Sequence, residues 1–307
     1  MMKFVPLLLT SAFLVTAASG QERPKLTSVS HLSVYTSDKA KAESFYVHDL
    51  GATKAPDPED GAGVRYYFSP LQFVEVLPLP TGERDPKNRL HGTGYNVANA
   101  EAMRVYLGAH HVDVPPAIRT GPEGTRSFEV HDPEGNLVEF VQPTTQIASV
   151  QANRLSTHIL HVGLIVHDPA LEDTFYHTLL GFRPYWQGGM TDNVKDWIAL
   201  QVPDGKDWVE YMVAKGPEKT GIPAAMSQDT AGVSNHFALG VPNIEKAYDV
   251  LYERDGLNGK HSPPQLGRDG KWQLNLYDPD GTRAELMEFQ PTEKPCCSPL
   301  LLPSPSE

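Results

Sequence analysis

The sequence predicts an α+β fold in which four strand–helix–strands modules (βαβββ) pair into two similar domains. Three observations carry this prediction: an internal duplication, strands of alternating hydrophobicity, and capped amphipathic helices between them. The chain has 307 residues, of which 40% are hydrophobic and 9% aromatic, so two cores of ordinary size can form. Glycine (25 residues) and proline (27 residues) are spread along the chain, as is typical of a turn-rich globular protein.

The internal duplication appears as the same spacing of residues in both halves of the chain. His31 and His161 each lie seven residues before an aspartate, and each is followed by a Phe-Tyr pair and a Leu-Gly pair, with an offset of 130 residues between the copies. The tetrapeptides Asp-Pro-Glu-Gly (132–135) and Asp-Pro-Asp-Gly (278–281) repeat with an offset of 146. A fixed order of such pairs predicts that one structural unit occurs twice.

The duplication sets the predicted domain boundaries. We predict a first domain over 26–143, a second domain over 155–291, and a disordered tail rich in proline and serine over 292–307. The only two cysteines, Cys296 and Cys297, are adjacent in this tail. Neither a disulfide framework nor a cysteine-ligated zinc site is therefore expected to hold the fold.

The N-terminal residues 1–20 are predicted to form a signal peptide. Lys3 precedes an apolar stretch over 4–18, which is too short to span a bilayer comfortably. Ala18 and Gly20 are small residues placed for cleavage after Gly20. The mature protein is therefore expected to be exported and free of the membrane. The net charge of −12 and the lack of a basic cluster argue against a nucleic-acid partner.

Each module opens with an alternating strand that leads into a helix. The elements predicted for the first half are, in order, a strand over 31–38, a helix to about 48, strands over 64–68 and 73–77, a strand over 95–97, a helix over 99–109, and strands over 127–130 and 137–141. In the second half, the helices begin at Asp168 and Asn243, which are favourable N-cap residues, and Pro169 follows at a first helical position. Leu171 and Phe175 lie one helical turn apart.

Alternation along four strands of the second half places ionisable groups among apolar neighbours. His161 and His236 lie opposite the residues that pack on the helices, and Glu210 and Glu285 each follow a histidine by 49 residues. Any one of these groups alone would be typical of a hydrogen-bonded rim residue. Together they are costly to bury unless a divalent cation lies between them. Imidazole and carboxylate suit Fe, Mn, Co, Ni or Zn, so the pattern predicts one divalent metal ion.

The sequence resembles the vicinal oxygen chelate superfamily, which includes glyoxalase I, fosfomycin and bleomycin resistance proteins, and extradiol ring-cleaving dioxygenases. The resemblance covers about residues 26–291 and rests on the segments 161–168, 175–181, 235–239 and 278–285. It implies that paired modules curl their sheets into a cup with a metal at its floor. By position, the implied metal ligands are His161, Glu210, His236 and Glu285.

The first domain departs from the family's pattern. His31, Glu75 and Glu139 occupy three of the corresponding positions, but Gly92 stands where the second histidine is expected. The neighbouring His91 would point to the wrong face of its strand. We therefore expect a degenerate metal site, with a structural role or a role as one wall of a substrate pocket.

Two points of assembly stay open at the level of the sequence. The modules can pair one with two and three with four, or one with four and two with three. The second arrangement would bring His31 and Glu75 to His236 and Glu285. A monomer and a homodimer are both compatible with the sequence.

The favoured function is a metal-dependent lyase or isomerase of glyoxalase type that acts on a small oxygenated molecule. The metal would act as a Lewis acid during removal of a proton next to a carbonyl. The resemblance implies Glu285 as the base, with Glu210 second. Glutathione-using bacterial members carry an arginine and an asparagine where Ile165 and Ala214 stand, so a glutathione conjugate is disfavoured.

Two alternatives remain. In an extradiol-type Fe(II) dioxygenase, His161, His236 and Glu285 alone would form a facial triad. That pattern places a tyrosine where Asn275 stands, preceded by a catalytic histidine for which His261 lies too far upstream. It would also leave Glu210 without a role. The other alternative is a binding protein of the bleomycin-resistance type without turnover. Its apolar pocket could be lined by the four tryptophans, Trp186, Trp197, Trp208 and Trp272.

Overall fold

The computed structural model describes residues 22–80, 89–144, 149–215, 222–223 and 228–306. The predicted signal peptide over 1–20 lies outside the described residues. Within the described ranges, no helix is long and apolar enough to cross a membrane.

The first half of the chain forms a curled sheet of eight strands with the order β2-β3-β4-β1-β5-β8-β7-β6. Its elements are β1 (Leu26–Thr36), α1 (Lys39–Glu43) with a π-helical continuation (Ser44–Asp49), β2 (Thr53–Pro56), β3 (Val64–Ser69), β4 (Gln72–Pro78), β5 (Leu90–Val97), α2 (Ala100–Ala109), β6 (Arg119–Thr120), β7 (Arg126–His131) and β8 (Leu137–Gln142).

The second half repeats this architecture in a sheet with the order β10-β11-β12-β9-β14-β17-β16-β15, to which β13 adds beside β12. Its elements are β9 (Ile159–Val166), α3 (Pro169–Asp173) with a π-helical continuation (Thr174–Leu179), β10 (Arg183–Gly188), β11 (Trp197–Gln201), β12 (Trp208–Lys215), β13 (Ile222–Pro223), α4 (Gln228–Ser234), β14 (His236–Val241), α5 (Ile244–Glu253), β15 (Gln265–Leu266), β16 (Trp272–Tyr277) and β17 (Arg283–Glu288). The predicted fold class is confirmed.

The pairing of strands shows which modules belong to one sheet. The opening strands of neighbouring modules pair antiparallel, β1 with β5 and β9 with β14. The last strand of each module runs parallel to its first strand, as in β1 with β4 and β14 with β17. Module one therefore pairs with module two, and module three with module four. His31 and Glu75 lie in a different sheet from His236 and Glu285.

The helices begin where their cap residues predict. The Asp168 side chain accepts hydrogen bonds from the N–H groups of Ala170 and Leu171, and Asn243 accepts one from Lys246. The π-helical turns that extend α1 and α3 each end two residues before a glycine. One of these is Gly181, whose φ of 77° lies in the left-handed region that glycine adopts without a Cβ clash.

The two domains share one hydrophobic core. Buried apolar side chains from both sheets and from the helices form a continuous cluster. Tyr46 of the first domain lies against Phe237 of the second, with ring centroids 6.3 Å apart, and Tyr176 lies against Tyr95 at 6.4 Å. The opening helix of each domain thus packs on the other domain, so burial of apolar surface couples the two halves.

The C-terminal tail, predicted to be disordered, packs along the edge of β10 instead. The Leu301 N–H donates to the Tyr185 carbonyl at 2.9 Å, and the Gln187 N–H donates to Ser298 Oγ at 3.0 Å. Leu300 and the nearby Leu302 contact the aromatic cluster of the second domain. Proline and serine exclude regular structure from this segment, but they do not prevent an extended chain from bonding to a strand edge. A disulfide joins its adjacent Cys296 and Cys297.

Candidate metal centre

Four strands bring the predicted ligand residues together on the concave face of the second sheet. These residues are His161 on β9, Glu210 on β12, His236 on β14 and Glu285 on β17. In register, Gly163 of β9 lies beside Glu210 on one side and His236 on the other. A Cβ atom at Gly163 would overlap the His236 ring. Glycine at this position is therefore a requirement of the site.

One atom from each of the four side chains converges on a single point. The Nε2 atoms of His161 and His236 are 3.0 Å apart. Glu210 Oε2 lies 3.8 Å from the first of these nitrogens and 3.5 Å from the second. Glu285 Oε2 lies 3.7 and 3.6 Å from the same two atoms. The ligand atoms of His161, Glu210 and His236 all lie within 4.8 Å of one another.

The hydrogen bonds of His236 orient its ring for metal binding. Nδ1 lies 2.8 Å from the carbonyl oxygen of Ser234, which can only accept, so Nδ1 carries the proton. Nε2 then presents its lone pair to the site. Arg283 Nη2, which can only donate, lies 2.7 Å from this Nε2 and agrees with that tautomer. The guanidinium group takes up the lone pair in this structure and would have to move aside for an ion to bind. A backbone carbonyl on the outer nitrogen is typical of histidines that bind metals.

The charge states of the four residues fit a divalent cation. Burial lowers the pKa of both His161 and His236 well below the usual value, so both imidazoles are neutral. Burial and the charge of Glu285 raise the pKa of Glu210 to about 8, and burial raises that of Glu285. The raised pKa values mean that burial disfavours both negative charges, and a divalent cation between the two carboxylates would offset this cost. Two nitrogens about 2.1 Å from one ion, at about a right angle, are about 3 Å apart, as these are.

A cavity of about 300 Å³ opens above this group. Its apolar lining includes Tyr185, Trp186, Trp197, Trp208, Met212 and Met287. The Trp208 ring stacks on the His161 ring, with centroids 4.7 Å apart. Trp272, which the binding-protein alternative would place in such a pocket, is 37% exposed and does not line this cavity. It is followed on β16 by Gln273, which does line the cavity, because successive side chains of a strand point to opposite faces.

Three charged residues beside the site escaped sequence reasoning. Arg283 precedes Glu285 by two positions on β17 and therefore shares its face, a signal that could have identified it. Asp269 and Lys271 lie in the turn between β15 and β16, where no periodicity indicates which side chains point inward. Asp269 lines the cavity, and Lys271 is fully buried.

The first domain holds arginines at the corresponding place in its sheet. His31 Nε2 lies 3.4 Å from Glu139 Oε2, and Arg119 Nη2 lies 2.9 Å from the other oxygen of Glu139. Arg65 Nε lies 3.2 Å from Glu75 Oε1. These guanidinium groups supply the positive charge that the carboxylates need.

The register of the first sheet agrees with the alignment of its missing ligand. Gly92 pairs with Ser33, as His236 pairs with Gly163 in the second sheet. The first domain therefore has a glycine where the second domain has its second histidine.

Comparisons with known proteins agree with this architecture. A model of the Glyoxalase/Bleomycin resistance protein/Dioxygenase superfamily matches residues 28–140 and 158–286. No match was found among curated proteins.

Similar solved structures include homoprotocatechuate 2,3-dioxygenase from Brevibacterium fuscum, with 15% identity, a TM-score of 0.62, and coverage of 91% of this chain and 86% of that one. Another is the Mn(II)-bound glyoxalase from Novosphingobium aromaticivorans, with 16% identity, a TM-score of 0.62, and coverage of 86% and 83%. At these identities the likeness shows the fold. With both halves matched by the family model, the chain belongs to the glyoxalase/bleomycin resistance protein/dioxygenase superfamily.

Proposed function

We propose that the protein is a divalent-metal-dependent lyase or isomerase of glyoxalase type, which removes a proton next to a carbonyl of a small oxygenated substrate. The observation that carries this proposal is the position of Glu210. Its Oε2 lies 3.5 Å from Nε2 of His236 and 3.8 Å from Nε2 of His161. A facial triad needs only one carboxylate, whereas a second one at the same distance supports a site with four protein ligands.

The residues around the candidate metal centre would have different roles in such a reaction. His161, His236, Glu210 and Glu285 would hold the ion. A divalent ion in this place supplies a Lewis acid for two neighbouring substrate oxygens. Glu285 and Glu210 are equally close to both imidazoles. We propose Glu285 as the base that takes the substrate proton, with Glu210 second, because the family resemblance implies that a metal-site glutamate has this role. The aromatic wall would pack on the apolar part of the substrate and exclude water.

The surroundings of Glu285 favour this function over an extradiol dioxygenase. Asn275 is the residue directly opposite Glu285 in the pairing of β16 with β17. The dioxygenase pattern expects a tyrosine there. His261, the nearest candidate for that pattern's catalytic histidine, is exposed, and its Nδ1 lies 3.0 Å from the carbonyl oxygen of Gly259.

The substitution Glu210→Gln tests the proposal. It keeps the size of the side chain and one oxygen but removes the negative charge that offsets the cation. We expect weaker metal binding, measured by competition with a chromophoric chelator. Solvent deuterium exchange into α-hydroxyketones, followed by NMR, should be detectable in the parent and lost in the variant. Glu75→Gln, at the matching position of the first domain, is the control and should leave metal binding unchanged.

Two results would redirect the assignment. Unchanged metal affinity in Glu210→Gln, together with oxygen uptake on addition of catechol to the Fe(II)-loaded parent, would favour the dioxygenase. Tight binding of small aromatic compounds with neither exchange nor oxygen uptake would favour a binding protein.

A further inference from the structure

The C-terminal tail crosses the rim of the cavity at the disulfide between Cys296 and Cys297. The Cys296 N–H donates to the Arg268 carbonyl at 2.8 Å, and the Cys296 carbonyl accepts the indole N–H of Trp186 at 3.3 Å. Trp186 and Arg268 both line the cavity. They belong to different elements, β10 and the turn between β15 and β16, so one residue of the tail ties two parts of the rim together.

The Arg268 guanidinium group extends this contact to the loop after β10. Its Nη2 lies 2.5 Å from Asp192 Oδ1 and 3.6 Å from Cys297 Sγ, and its Nε donates to the Gly189 carbonyl at 3.2 Å. Cys296 Sγ lies 3.5 Å from the same oxygen of Asp192. Because both sulfur atoms lie against this ion pair, a chemical change at the sulfurs reaches the rim of the cavity directly.

This disulfide adds little to the stability of the whole fold. A disulfide stabilises mainly by restricting the unfolded chain, and the effect grows with the length of the loop that it closes. Here the bonded residues are neighbours in the sequence, so the loop is the shortest one possible. The small ring does constrain the backbone locally. Cys297 has a φ of 72°, in the left-handed region that is unfavourable for a residue with a Cβ atom, and opening the ring would let it leave that region.

The bond lies where a reductant can reach it, since Cys297 is exposed and Cys296 is partly exposed. Exposed disulfides are more readily reduced than those enclosed in a fold. The co-reactant is a dithiol, which supplies two electrons and two protons. The S–S bond breaks, both cysteines become thiols, and the dithiol becomes a disulfide.

We propose that Cys296 and Cys297 form a redox switch of the cavity, in which the disulfide holds the tail on the rim and its reduction releases the tail. Release withdraws the contacts that fix Trp186 and Arg268, so the wall of the cavity loosens. The consequence for turnover rests on the proposed function, whereas the release itself requires neither a metal nor a substrate.

Hydrogen–deuterium exchange of the full chain, read by mass spectrometry, tests the switch. The oxidised parent is compared with the parent treated with dithiothreitol and with a variant that carries both Cys296→Ser and Cys297→Ser. Peptides that cover 292–306 and 183–188 report on the tail and on β10. A peptide that covers 90–97, in β5 of the first domain, is the internal control. The serine variant treated with the same dithiol controls for effects of the reagent.

Reduction of the parent should speed exchange in the tail about tenfold, because release exposes amides that are hydrogen-bonded in the packed tail. These include the N–H of Leu301, and on β10 the N–H of Gln187, which donates to Ser298. Exchange in β5 should not change. The serine variant should exchange like the reduced parent, with or without dithiol. Tryptophan emission should shift to longer wavelength on reduction, since Trp186 loses its contact with the tail.

Equal exchange in the oxidised and reduced parent would overturn the inference. Faster exchange in β5 as well would also overturn it, because the disulfide would then support the whole fold. So would an intact mass that shows free thiols at both cysteines after oxidation. These measurements use no metal and no turnover, so their failure would leave the proposed function standing, and the failure of that function would not alter them.

Discussion

Asp280 of the second domain accepts hydrogen bonds from both the N–H and the hydroxyl of Ser37 in the first domain, at 3.0 and 2.7 Å. The equivalent contact of the other copy joins Glu134 of the first domain to the N–H groups of His167 and Asp168 in the second, at 2.8 and 2.6 Å. Each Asp-Pro-x-Gly turn therefore holds the start of the opening helix of the other domain. The third residue of the motif, a carboxylate in both copies, is explained by this contact.

The substitution Asp280→Ala should destabilise the whole chain. It removes the contacts with Ser37, the 2.6 Å hydrogen bond from Thr36 and the ion pair with Arg89. Because charge-assisted hydrogen bonds are lost from a buried position, we expect the free energy of unfolding to fall by about 2–4 kcal/mol. Urea unfolding followed by far-UV circular dichroism measures this. Glu253→Ala, which breaks an exposed pair, is the control; equal midpoints for the two variants would contradict the cross-domain role.

Asp278 should make stability depend on pH. Burial, together with the charge of Asp280, raises the pKa of Asp278 from 3.8 to about 7. The folded protein therefore keeps a proton that the unfolded chain releases near pH 4. Stability from this group is fully present below that pH and declines as the pH rises to about 7.

The matched variant for this pH dependence is Asp278→Asn. Between pH 5 and 7, the parent should lose up to about 1.4 kcal/mol per pH unit more than the variant does. Urea titrations at pH 5, 6 and 7 give the two slopes. Parallel slopes would show that Asp278 is already ionised in the folded protein at pH 5.

The variant His236→Ala should no longer retain a divalent metal through dialysis, because it removes a fully buried nitrogen from the centre. Loss of one ligand leaves Glu210 and Glu285 facing each other with a weakened hold on the ion. His31→Ala removes the counterpart of His161 in the first domain and should retain the parent's metal content. Elemental analysis gives the metal content per chain of the two variants. Equal metal content in both would refute the assignment of the site to the second domain.

Truncation before Lys294 should loosen the wall of the cavity. The tail packs Leu300 on the aromatic cluster, and its Cys296 carbonyl accepts the indole N–H of Trp186 at 3.3 Å. We expect a loss of about 2 kcal/mol of stability from the apolar area that becomes exposed. The tryptophan emission of the chain, to which Trp186 contributes, should shift to longer wavelength. Truncation after Pro305 is the control, and an unchanged emission spectrum in the longer deletion would argue against the packed tail.

Local sequence pattern was enough to predict the four modules. It also predicted the four ionisable residues that meet at the candidate metal centre, which are His161, Glu210, His236 and Glu285. The alternation of a strand decides which face a side chain takes, so His161 and Glu285 could be assigned to one surface without knowledge of the fold. The duplication likewise predicted that Gly92 stands where the second domain has His236. The pairing of Gly92 with Ser33 agrees with that alignment of the two halves.

Only the tertiary structure decided how the modules pair, how the tail packs and what the buried charges do. Asp280 and Ser37 are 243 residues apart, and no periodicity within either segment encodes their contact. Lys271 lies in a turn, where the direction of a side chain depends on what packs around it rather than on a repeating backbone. The period of hydrophobic residues in a sequence shows which face of a helix or strand is apolar. Which other element packs on that face is decided by the burial of apolar surface between distant parts of the chain.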